Sequence, residues 1–189
     1  GWGNPGELIH VQIAEQNHKV EVSPEGYWKV SLDPMPASAT PKVMTIQGSS
    51  ELKFENILVG EVWLCSGQSN MGWALGNSDD SDLEIMTANY PNLRLVSVPQ
   101  VGTQEAQTDF NGRWESTTPE VAKNFSAVGY LFGRRLHLAI GIPVGLIDNA
   151  WGGSACEAWI PRDRLNQLPV AKPYMDQWRE TEKTFDYNK

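Results

Sequence analysis

An apolar run that breaks into a small polar turn constrains this chain more than any other stretch. Val59, Val62, Trp63, Leu64 and Cys65 form a short, nearly continuous apolar segment, as expected for a central strand covered on both faces. Ser66-Gly67-Gln68-Ser69-Asn70 then ends it. Glycine tolerates the backbone of a sharp turn, and the pattern puts Ser69 where the next helix begins. Unpaired amides and the helix dipole favour developing negative charge at such a point. Ser69 is therefore a candidate nucleophile. Gly67-Gln68-Ser69 begins like a G-x-S-x-G elbow, but the position two after the serine is Met71, so that motif is not matched.

Residues 1–58 read as a small β-domain, expected to be an antiparallel sandwich. Short β-branched or aromatic stretches at 8–14, 19–22, 27–32 and 42–46 are separated by turn residues such as Pro24-Glu25-Gly26. Asp33-Pro34-Met35-Pro36 and the small residues to Pro41 read as an irregular connector. Residues 59–189 alternate between strands and helices. Leu93–Val98 and Val144–Ile147 are the further strands, with a short helix from about Leu83 to Ala88 after the polar run 77–82. Between them, Val128, Leu131, Phe132, Leu136, Ala139 and Ile140 fall at helical spacing, and Gly141 stops that helix. The segment from Pro99 to Glu120 has little periodicity and is placed where it overhangs the site. A helix start at Pro161 and a charge-rich stretch over 170–189 read as an exposed helix or insertion. Alternation of this kind implies a parallel sheet, whose ligands bind beyond the carboxyl ends of its strands. Ser69 and the loop Trp151-Gly152-Gly153-Ser154 both lie at that end.

Composition excludes several classes. A formal charge of -8 without clustered Lys or Arg argues against nucleic acid as partner, and no apolar run is long enough to span a bilayer. Asp79 and Asp80 lack the spaced oxygen ligands of a calcium loop and read as solvated capping residues. Eight tryptophans are compatible with core or interface packing and with stacking on sugar rings. Cys65 and Cys156 both fall near one sheet edge. A disulfide is conceivable; a buried small hydrophobe and a loop-end thiol are the preferred reading. Gly1 rather than Met leaves export open, and the expected location is secreted or periplasmic.

The block Trp63-Leu-Cys-Ser-Gly-Gln-Ser-Asn-Met71 resembles the serine block of the SGNH hydrolase superfamily, and within it the sialate O-acetylesterase-like carbohydrate esterases. Ile142-Pro-Val-Gly-Leu-Ile-Asp-Asn-Ala-Trp-Gly-Gly-Ser-Ala-Cys-Glu-Ala-Trp159 is similar to that family's strand-plus-glycine segment, and Phe125–Arg135 to the helix before it. Where the family shows a Gly-Gly-Pro-like turn, this chain has Ala39-Thr40-Pro41-Lys42.

The resemblance implies a flavodoxin-like parallel sheet, of which this chain holds the first half, preceded by the small β-domain. It implies hydrolysis of a carbohydrate O-acetyl ester through an acyl-enzyme, with no metal or organic cofactor. Ser69 is then the nucleophile, the amides of Ser69 and of Gly152 or Gly153 are oxyanion donors, and Gln68, Asn70 and Trp151 contact substrate. The family's base, a His three residues after an Asp, and its Asn donor have no counterpart here. His10, His18 and His137 all have ordinary structural explanations, so a second polypeptide is expected to supply the catalytic His and Asp. Two competing readings stand beside this one: a non-catalytic carbohydrate-binding or scaffold protein, and an SGNH esterase acting on other esters.

Overall fold

The computed structural model describes residues 1–185. Its strands form two four-stranded sheets. The first contains β1 (Leu8–Ile13), β2 (Gln16–Glu21), β3 (Ser38–Gln47) and β4 (Glu51–Val59), ordered β2-β1-β3-β4 and antiparallel throughout. Ile9, Val11 and Val22 are buried, with Val20, Trp28, Val30, Met44 and Ile46 packed around them.

This sheet departs from expectation in three ways. It is a single sheet and not a sandwich, because the segment 27–32, read as a strand, contributes only one bridge, Trp2 to Tyr27. Trp28 and Val30 instead fold over the apolar face as a cover. Strand β3 begins at Ser38 and so takes in part of the expected connector, with register shifts on both sides of Lys42 accommodating Pro41. Strand β4 was not anticipated: its Glu51, Lys53 and Glu55 hide a strand whose pairing with β3, rather than its apolar content, fixes it.

Gly60 alone separates β4 from β5 (Glu61–Gly67). A Cβ there would sit 2.0 Å from the Pro143 carbonyl oxygen, so only glycine permits the approach. The amide of Glu61 donates to that same oxygen at 3.1 Å and aligns β5 with β8 (Val144–Ala150). These two run parallel in register from Glu61↔Val144 to Gly67↔Ala150. On its other side β8 pairs in parallel with β6 (Tyr90–Ser97), which pairs antiparallel with the short β7 (Glu115–Thr117).

The sheet order β5-β8-β6-β7 differs from a flavodoxin-like order, in which the first parallel strand is central. Here β8 is central, with Val144 and Leu146 buried, and β5 is an edge strand with Val62 and Leu64 each 62% exposed.

Helix α1 (Ser81–Met86) starts two residues earlier than expected, and Asp80 at its N-cap makes no side-chain capping bond. Helix α2 (Pro119–Asn124) has Thr118 as N-cap, accepting from Val121 N. Helix α3 (Ala127–Ile140) has Ser126 as N-cap, accepting from Gly129 N, and stops at Gly141 as expected. Its buried face is not the bulky one read from spacing. Ala127, Gly129, Tyr130 and Gly133 face the sheet, whereas Val128, Leu131, Phe132 and Ile140 are exposed and Leu136 is partly buried. Small residues let the helix lie close: a Cβ at Gly133 would meet Leu146 Cδ1 at 2.5 Å.

After β8, α4 (Arg162–Gln167) and α5 (Lys172–Glu182) pack around Leu165, Ala171 and Met175, which settles the charge-rich stretch as helix as far as Glu182. The expectation for the stretch to Lys189 lies outside the described residues beyond 185. No described helix is long and apolar enough to cross a membrane.

Candidate active site

The parallel register decides the site. With Gly67 opposite Ala150, the segments leaving β5 and β8 emerge side by side at the carboxyl ends of their strands. Trp151 N donates to Gly67 O at 3.0 Å, so the ladder continues into the loops. After Gly67 the chain makes one tight turn, in which Gly72 N donates to Gln68 O (2.8 Å) and Trp73 N to Asn70 O (3.4 Å). Ser69 is therefore inside a turn and not at the start of a helix; the next element is only a 3₁₀ turn at Leu75–Asn77. A helix dipole contributes nothing there. What remains is a set of backbone amides in a turn beside a glycine-rich loop.

Gly152 is the glycine that approaches Ser69: a Cβ added to it would lie 3.7 Å from Ser69 Cα, ordinary contact. Its nitrogen also lies 3.6 Å from where a Cβ of Gly72 would be. Gly153 has φ +78° and open space around it, so its requirement for glycine is conformational. Trp151 to Ser154 form a turn, Ser154 N donating to Trp151 O at 3.3 Å. Gln68, expected to contact substrate, commits its amide nitrogen to Ser154 O and so ties the two loops together. Asn70 is exposed within the turn, and Trp151 is partly exposed in its loop. The segment after β6 reaches this end too, as expected, with Gln100 Nε2 donating to Ala150 O at 3.1 Å.

Beneath the turn, Met71 Sδ accepts from Ser126 Oγ at 3.4 Å, and Ala127 N donates to Trp73 O at 2.8 Å, so the N-terminus of α3 braces the Ser69 turn from below. Cys65 is buried there as a small hydrophobe, and burial followed by the nearby Asp148 pushes its thiol up. Both cysteines are free, Cys156 being exposed. Asp148 has its carboxyl raised above the usual range by burial; the amides of Ala150 and Ser126 offset only part of this, and Oδ1 has no hydrogen-bond partner.

The histidines lie elsewhere. His10 and His18 belong to β1 and β2, with His18 Nε2 3.0 Å from Gln16 Oε1. His137 Nδ1 is 2.7 Å from Ile142 O, before β8 begins. Seven residues of strand, roughly 20 Å, separate that point from the Ser69 end. Among the described residues, no group of three or more His, Cys, Asp or Glu could hold a metal. The residue that sequence reasoning missed is Ser154, which bonds to three partners at the site; the signal available was a hydroxyl closing a Gly-Gly turn with an indole five residues on.

The two paired loops on a mixed α/β framework define a chain structurally similar to a carbohydrate acetylesterase of Xanthomonas citri, with a TM-score of 0.80 and 38% identity over 85% of this chain and 37% of that one. In sequence, it is 32% identical to sialate O-acetylesterase of Mus musculus over 90% of this chain, and 33% identical to that of Homo sapiens over 91%. The resemblance read from the two motif blocks is thus supported along nearly the whole chain. The chain spans about a third of the length of these curated relatives, 35% and 36% respectively. No family model matches it.

Proposed function

We propose that this chain is the N-terminal portion of a carbohydrate O-acetylesterase of SGNH type, with residues 1–58 as a small β-domain and 59–189 as the first part of the catalytic domain. The observation that carries the reading is the β5–β8 register, which sets the Ser69 turn against the Gly152-Gly153 loop. Ser69 Oγ attacks the acetyl carbonyl, and its proton passes to a base and then to the departing sugar oxygen. The amides of Ser69 and of Gly152 or Gly153 receive the tetrahedral oxyanion. Water then attacks the acetyl-serine, and acetate leaves as Ser69 regains its proton. Gln68, Asn70 and Trp151 frame the sugar. No cofactor takes part in this scheme.

The base, its Asp partner and an Asn donor come from outside these residues, as the C-terminal part of the same protein or as a second polypeptide. Support for that comes from β5. It is an edge strand whose face away from α3 carries Val62 and Leu64 in the open, while on the α3 side Trp63 meets Phe132 edge-on at 5.1 Å, both partly exposed. A strand paired beside β5 and a layer over that face make β5 the covered central strand that its apolar sequence describes. A secreted or periplasmic location goes with this reading, because acetylated surface glycans lie outside the cytoplasm; cell fractionation tests it.

The test of function is hydrolysis of p-nitrophenyl acetate and of an O-acetylated sialoside by the full-length protein and by Ser69→Ala. Loss of turnover with an unchanged thermal transition is expected. Turnover by Ser69→Ala at the wild-type rate contradicts the assignment. That none of the three histidines belongs to the Ser69 turn or the glycine loop equally fits a non-catalytic carbohydrate-binding chain, and absence of turnover with retained glycan binding by the full-length protein selects that alternative.

A further inference from the structure

We propose that Ser154 is the positioning residue that fixes the Gly152-Gly153 loop over Ser69, an inference that rests on the acyl-transfer reading above. Ser154 engages that loop from every side. Its Oγ donates to Trp151 O at 2.6 Å, and its amide donates to the same oxygen at 3.3 Å, closing the turn from both its main chain and its side chain. Its Oγ also accepts from Trp159 Nε1 at 2.8 Å, which ties the loop to the chain that follows. Its carbonyl accepts from Gln68 Nε2, the residue immediately before Ser69. One residue thus connects the nucleophile turn, the glycine turn and the Trp159 indole.

The chemistry needs such a tie. Gly153 is held at φ +78°, and neither Gly152 nor Gly153 has a side chain to pack, so the loop has no anchor of its own between Trp151 and Ser154. An oxyanion donor acts only if it already points at the place where charge develops, and a displacement on the order of 1 Å costs about a hundredfold in rate. The hydroxyl of Ser154 supplies that anchor by holding the Trp151 carbonyl, which turns the peptide joining Trp151 to Gly152 and with it the Gly152 N–H. The indole of Trp159, donating to the same hydroxyl, leaves Oγ with its proton for Trp151 O. Ser154 touches no reacting atom in this scheme; it acts through the amides.

The experiment compares Ser154→Ala, Ser154→Thr and Trp159→Phe in the full-length protein, with p-nitrophenyl acetate as probe. Ser154→Ala keeps the backbone bond to Gln68 and loses only the hydroxyl. Its kcat is expected to fall roughly tenfold to a hundredfold with KM within about twofold, because the donors bind a charge that forms after substrate is bound. Its kcat–pH profile keeps the wild-type shape. Ser154→Thr retains kcat within about threefold, and Trp159→Phe gives a smaller loss than Ser154→Ala. A merely structural role gives instead a lowered unfolding temperature with kcat per folded molecule intact, and that result overturns the proposal. So does a loss confined to KM, or a failure of Ser154→Thr to restore kcat. If Ser154→Ala does not fold, Ser154→Thr and Trp159→Phe decide: both must fold, the first active and the second impaired in kcat alone. Ser69→Ala run alongside separates the two levels. A dead Ser69→Ala with a fully active Ser154→Ala removes only this inference, and an active Ser69→Ala removes the reading beneath it.

Discussion

The two ends of significance in this molecule lie on one strand. At its carboxyl end β5 runs into a turn that is tied on every side: to β8 through Trp151 N, to the glycine turn through Gln68, and to α3 through Met71 and Trp73. On the sheet face turned away from α3 the same strand presents Val62 and Leu64 in the open, while Trp63 points to the other face and meets Phe132 of α3. The carboxyl end is organised without any further element. That face has the composition of an interior and the exposure of a surface, on a strand whose outer edge is also unpaired in the sheet. The difference teaches that the geometry of the Ser69 turn is fixed locally, whereas the open face of β5 is where the proposed reading puts further structure.

The comparison breaks most decisively at that open face. Replacing Leu64 by Asp in the full-length protein places a charge where the account puts a covered strand, with an expected stability loss on the order of 3 kcal/mol or more. Thermal and urea unfolding measure it. In the isolated 1–189 chain, where that position is exposed, the same substitution costs less than about 0.5 kcal/mol. Equal small effects in both contexts mean that nothing covers that face of β5.

At the tied end the effects are smaller and residue-specific. Gly153→Ala forces an alanine to φ +78° and is expected to cost about 1 kcal/mol of stability and to slow acyl transfer. Gly152→Ala finds ordinary contact with Ser69 Cα and folds normally. Reversal of that order indicates that steric room and not backbone conformation governs the loop.

The smallest effect concerns Asp148. Its folded-state carboxyl titrates above the unfolded value because burial disfavours its charge. The folded form therefore binds more protons than the unfolded one over that interval, and stability declines as pH rises from the unfolded value through the folded one. Asp148→Asn removes the ionisation, so its unfolding temperature relative to wild type is expected to rise between pH 4 and pH 7. A difference independent of pH contradicts the buried-acid description.

The strand-to-turn pattern was legible because a continuous apolar run needs a sheet, and Ser66-Gly67-Gln68-Ser69-Asn70 cannot continue it. The glycine loop was legible for the same reason after Val144–Ile147. Three features were hidden. Strand β4 was passed over although Glu51-Leu52-Lys53-Phe54-Glu55 alternates at strand period; Leu52 and Phe54 are exposed, so pairing with β3 and not burial fixes it. The sheet-facing side of α3 is made of Gly129, Gly133 and Ala127, and counting bulky residues selects the opposite side. The helix expected after Ser69 is absent because Gly72 and Trp73 close a single turn, and Trp73 then pairs with Ala127 rather than with its own next turn. Ser154 escaped notice because a serine after two glycines reads as an ordinary turn residue until its partners are seen.

The central claim is that Ser69 is the group that carries the acyl intermediate. The measurement that tests it most directly is mass spectrometry of the full-length protein after reaction with an organophosphonate that traps activated serines. The account predicts one adduct, on the peptide containing Ser69, and none in Ser69→Ala. An adduct on any other residue, or esterase turnover that persists with Ser69 unlabelled, contradicts it.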